Sequence, residues 1–127
     1  MKLTYSQLDE LNSAYLFLPF KTDTIMAAAE NITKLKPHLD AVLTLKAKLI
    51  KQYTNGEDNI SSSHQNWNKF SIDFHHAISK EIEVVGLTKV KKTDLDLVNI
   101  NPSITNNGTK INYQGYIAVL LNFGLLE

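Results

Sequence analysis

The residues best suited to chemistry are four histidines, His38, His64, His75 and His76. Asp73, Lys80 and Glu81 stand close to the last two, and Ser61–Ser62–Ser63 run directly into His64. Two chemistries are open to such a set. A metal site needs three or four convergent ligands. A hydrolytic site needs a serine nucleophile in reach of a histidine base. The spacing favours neither. His75 and His76 are adjacent, so on a helix they point about 100° apart, and no two histidines stand four residues apart. The serine run lacks a Gly-x-Ser-x-Gly elbow, and neighbours in sequence seldom line up as nucleophile and base. The five glycines are scattered and form no phosphate-cradling loop. No catalytic residue, metal ligand or cofactor is assigned on this basis.

The charged residues narrow the field further. All 13 basic residues are lysine, balanced by 13 acidic residues to a net charge of zero. Arginine makes the bidentate contacts to guanine and phosphate, and its absence argues against a dedicated DNA reader. Lys34, Lys36, Lys48 and Lys51 fall within about 160° of a helical arc and read as a solvated outer face. Lys89, Lys91 and Lys92 form a second cluster that suits phosphate contact, blunted by Asp94 and Asp96. Nucleic acid is therefore a disfavoured partner. There is no cysteine, which excludes disulfides, thiol chemistry and cysteine zinc sites and fits a reducing compartment. No apolar run approaches the ~18 residues that span a bilayer, and polar residues ahead of Tyr15–Phe20 exclude a signal-peptide core. No membrane partner is expected.

The elements that position these residues follow from apolar spacing. Ser6–Gln7–Leu8–Asp9 resembles a capping box, and Leu8, Leu11, Tyr15 and Leu18 then recur at helical intervals, predicting a helix over 6–18 that Pro19 ends. Next, Ile25, Ala28, Ile32, Leu35, Leu39, Val42, Lys46, Leu49 and Tyr53 step by three and four, an a/d heptad pattern. Only Lys46 interrupts its apolar series. Pro37 would normally kink or split a helix, yet the pattern keeps its phase across it, which predicts one spine helix over 22–54, about 50 Å long. Asn55–Gly56 suits a left-handed cap, and 55–64 is a polar loop. A third helix is expected over 65–82, with Trp67, Phe70 and Phe74 on a core face. The first and third helices together match the spine in length. They are expected antiparallel to it, the first beside its start and the third beside its end. Residues 82–90 read as extended, and Asn107–Gly108 predicts a hairpin between 104–106 and 109–111. Residues 113–121 read as a short helix or a strand ended by Gly124. The expected fold is mainly α (α+β), a single domain over 1–127. It joins a helical part at 6–82 to a mixed part at 83–127 with a small β-hairpin appendage.

Two features suggest a partner surface. Tyr5, Tyr15, Phe17 and Phe20 cluster around the first turn, more apolar surface than a short hairpin hides. The spine seam is also longer than two short helices obviously cover, and an a/d pattern is equally what a second chain reads. Lys46 at an a position would then help set register. The candidate partner-binding residues are Tyr15, Phe17, Phe20, Lys46 and Tyr53.

Asparagine, isoleucine and lysine, whose codons are A/T-rich, are abundant. The Leu/Ala/Ile heptads close on Leu49–Ile50–Lys51–Gln52–Tyr53, followed by a polar loop and a helix carrying Phe70, Phe74, Ile78 and Glu81. Ile82–Glu83–Val84, Asp94–Leu95 and Ile100–Asn101–Pro102 come after. This order resembles small proteins of unknown function encoded by phages and prophages of low-GC Gram-positive bacteria, over residues 8–121. The resemblance implies a viral origin and a life in the bacterial host cytoplasm, and it carries over no catalytic residue. The resulting expectation is a non-enzymatic interaction module that binds a host bacterial protein, such as a defence or replication factor. The alternatives are a self-associating virion or assembly component and a weak, non-specific nucleic-acid binder.

Overall fold

A 33-residue helix, Thr22–Thr54, organises the chain, and its bounds are those the heptads predict. The computed structural model describes residues 1–95, 105–106, 109–110 and 113–127. In order these form β1 (Lys2–Leu3), α1 (Tyr5–Phe17), α2 (Thr22–Thr54), α3 (Trp67–Ile78), β2 (Ile82–Glu83), a 3₁₀ turn (Lys92–Asp94), β3 (Thr105–Asn106), β4 (Thr109–Lys110) and α4 (Tyr113–Asn122). Pro37 lies within the unbroken α2. It is exposed, on the side where water can satisfy the carbonyl its missing N–H leaves free. Asn55 ends the helix at φ 58°, its N–H donating to the Lys51 carbonyl.

The cap of α1 stands two residues before the expected one. Thr4 is the cap, accepting from the Gln7 N–H at 3.4 Å while the Thr4 N–H donates to Gln7 Oε1 at 2.9 Å. Glutamine reaches back to the cap where the shorter Asp9 would not, which selects Thr4–Gln7 over Ser6–Asp9. α3 is shorter at both ends than the expected 65–82. It stops at Ser79 because Ile82 and Glu83 leave to pair with Leu3 and Lys2 in an antiparallel two-stranded sheet. That sheet joins the start of α1 to the exit from α3. The turn at 18–21 folds α1 back along the first half of α2. Asn66 donates to the Tyr53 carbonyl at 2.9 Å and Lys46 lies over Phe74, so α3 runs back along the second half.

The last third is tied into the core. Asn31, fully buried on α2, donates to the Thr88 carbonyl and accepts the Thr88 N–H, both at 2.8 Å. It stands in for a neighbouring strand, and satisfying both partners avoids the cost of a buried unpaired amide. Lys34 donates to the Gly86 carbonyl. Val90 bridges Leu126, and Leu95 bridges Phe20. Residues 113–122 resolve as helix, not strand, and Gly124 at φ 67° turns the chain beyond them. The hydrophobic core therefore joins Leu3, Leu8, Leu11, Tyr15 and Leu35 to Val84, Val90, Leu95, Ile117, Leu120 and Leu126. The 6–82 and 83–127 parts share it. The expected hairpin is present, with Thr105 opposite Lys110 and Asn106 opposite Thr109. Its Asn107–Gly108 turn lies outside the described residues. Among the described residues no helix is long and apolar enough to cross a membrane.

Candidate interaction surface

The heptad seam is used on one side only. The d positions Ala28, Leu35 and Val42 are buried. Of the a positions beside them, Ile32 and Leu39 are half-buried and Ile25 is 54% exposed. The residues that follow each a position by four, Ala29, Lys36 and Leu43, are exposed. α1 and the 84–90 segment cover Ala28 and Leu35 and leave the a row open on its outer flank.

That flank is one wall of a groove of about 460 Å³. Tyr5, Asp9 and Asn12 line it from α1, and Ile32, Lys36, Leu39, Asp40 and Leu43 line it from α2. Spacings of three and four put each set on a single helical face. The same spacing continues the two faces to Leu16 and Ile25, which are 59% and 54% exposed. From Ile25 to Leu43 the open row runs about 27 Å. The groove is apolar toward both ends and polar in its middle. Lys36 Nζ lies 2.8 Å from Asp40 Oδ2, an exposed pair that adds little stability. Burial, and then the nearby Asp9 carboxylate, push the Tyr5 phenol above its usual pKa, so Tyr5 offers a neutral hydroxyl at one end.

The sequence-predicted residues are not gathered into this groove. Tyr15 is 2% exposed and belongs to the core, so it offers a partner no surface. Phe20 is half-buried against it, ring centroids 6.4 Å apart. Phe17 is half-buried on Tyr116 of α4 at 5.9 Å. Much of the aromatic excess at the first turn is thus covered by the chain itself. Lys46 sits 5.7 Å from the Phe74 ring centroid and so packs within the α2–α3 pair. Tyr53 donates to Asp73, and that bond, more than burial, raises the Tyr53 pKa. Lys89, Lys91 and Lys92 are exposed, and the Lys91 N–H donates to the Asp94 carboxylate at 2.8 Å.

Two of the four histidines have local tasks. His64 Nδ1 accepts the Asn66 N–H at 3.0 Å, and His75 Nδ1 donates to the Ser71 carbonyl at 2.7 Å. Among the described residues no three histidine, aspartate or glutamate side chains are placed to hold a metal ion. The outer lysines are partly engaged, Lys34 with Gly86, Lys36 with Asp40 and Lys51 with Asp58. The chain matches no protein-family model, no curated protein and no solved structure. The groove-lining residues that the sequence reading missed are Asn12, Asp40 and Leu43, and Asp9 entered it only as a helix cap. The available signal was the apolar Leu43 four residues after the a-position Leu39, which widens the seam beyond a strict a/d stripe.

Proposed function

We propose that this chain is a non-enzymatic interaction module that receives a partner helix in the α1–α2 groove. The observation that carries this reading is the half-open seam: Ile32 and Leu39 are only half-buried, and Ile25, Leu43 and Leu16 beside them are exposed. An amphipathic helix binds such a groove through side chains spaced by three and four. The reading extends to a phage-encoded protein that acts in the host cytoplasm on a bacterial defence or replication factor; that part rests on the resemblance of residues 8–121. The experiment is affinity capture from a low-GC Gram-positive lysate with the intact chain, a Leu43→Asp variant and an Ile72→Asp variant. Leu43 and Ile72 are 58% and 68% exposed, so both variants fold. One host protein held by the intact chain and by Ile72→Asp, lost with Leu43→Asp, and rebound when purified is the expected result. Equal recovery with all three baits contradicts it.

A second reading is self-association as an assembly component, since the open a row is also what another copy would read. Light scattering then shows a mass that rises with concentration and falls to one chain with Leu43→Asp.

A further inference from the structure

Resting on the groove reading above, we propose the chemistry of the occupant: an amphipathic helix of about five turns with apolar side chains toward both ends and a lysine or arginine in its central turn. The argument comes from the order of residues along the groove. One end presents Tyr5, Leu39 and Leu43, with Asp40 between the two leucines. The helical faces continue to Leu16 and Ile25 at the other. Between them stands Asp9, four residues after Tyr5 and seven before Leu16. On the α2 wall the Lys36 ammonium is taken by Asp40 at 2.8 Å. Asp9, on the α1 wall, has no ion pair among the described residues. A helix that is apolar throughout would strip water from this carboxylate and return nothing for it. A basic residue at the same level turns that cost into an attraction and fixes the register of docking.

The same charges decide against a second copy as the occupant. The groove carries two carboxylates, Asp9 and Asp40, for one ammonium, Lys36. Groove against groove about a two-fold axis sets two surfaces of the same net negative charge against each other. A basic helix from another protein meets no such repulsion.

The test is a display library of 18-residue helices with leucine fixed at the positions that face the two groove ends and every residue type allowed at the central position. It is selected on the immobilised intact chain and on Asp9→Lys, Asp9→Asn and Leu43→Asp variants. Asp9 is exposed, so these substitutions leave the fold in place. Lysine and arginine at the centre are expected to be enriched at least tenfold over aspartate and glutamate on the intact chain. Asp9→Asn abolishes that preference and Asp9→Lys reverses it. Helices that bind with the same central preference on all Asp9 forms overturn the proposal while leaving the groove as a docking site. If no helix is retained on the intact chain above the level on Leu43→Asp, the groove reading itself fails. A dimer in light scattering that Leu43→Asp dissociates assigns the groove to a second copy and overturns the proposal.

Discussion

The two halves of α2 carry the same heptad but meet different surroundings. Along the first half, Ala28 and Leu35 sink into a core assembled from α1, residues 84–95, α4 and the C-terminal strand contact. Along the second half, α3 is the covering helix, and Val42, Ile50 and Phe70 are buried outside that main core. The ring series Trp67, Phe70 and Phe74, with neighbouring centroids 5.6 and 5.8 Å apart, holds this arm together with the Tyr53–Asp73 bond. One half is locked by many elements and keeps its open row as a stable wall. The other is a two-helix arm with fewer partners. Local stability follows the density of buried apolar contacts, so the two halves should open at different free energies.

The largest effect is expected from Leu35→Ala, which leaves a cavity where the first half of α2 meets the core. It should lower the unfolding free energy by about 3 kcal/mol in urea titration. Asn31→Ala follows at about 2 kcal/mol, because the Thr88 N–H and carbonyl are left without their partners. A loss of less than about 0.5 kcal/mol, the usual ceiling for a surface change, would show that water replaces Asn31 and that the 84–90 segment is held by other means. Phe70→Ala sharpens the contrast between the halves. Amide exchange should accelerate at least tenfold over residues 43–78 and stay unchanged over 8–18; equal acceleration in both would make the molecule one cooperative unit and dissolve the comparison.

Tyr15 gives the core half a pH signature. Burial pushes its phenol up to about 12, an effect partly offset by the neighbouring Asn31 side chain. The folded-state pKa is raised above the unfolded value of about 10. Its contribution is therefore complete below pH 10 and lost as pH rises toward about 12. Tyr15→Phe should flatten the stability curve over that window. The smallest effect belongs to the arm. Lys46→Met removes an exposed cation–π contact worth about 0.5–1 kcal/mol, read as a slight fall in Tm.

The bounds of α2 were legible because two signals agree, the heptad phase and the Asn55–Gly56 stop. The start of α1 was not, because Thr4 and Ser6 are both capping residues and only the reach of Gln7 separates them. β1 could not be read: two residues carry no period, and their partner lies some eighty positions away at Ile82–Glu83. The end of α3 was overextended because Ile82 continues its apolar spacing while pairing elsewhere. At the surface, the a/d repeat announced an adhesive side on α2, but which row stays open depends on the direction from which α1 and Val84–Val90 approach. Tyr15, Phe17 and Phe20 looked surplus because α4, which covers Phe17 through Tyr116, was undecided between helix and strand.

The central claim is that the open a row, and not the outer face of the arm, meets the partner. The direct measurement is site-specific photocrosslinking in the bacterial host, with benzoylphenylalanine placed at Leu43 in one chain and at Ile72 in another. The account predicts a covalent adduct to a host protein from position 43 and none from position 72. An adduct from position 72 alone would contradict it and move the interaction surface to α3.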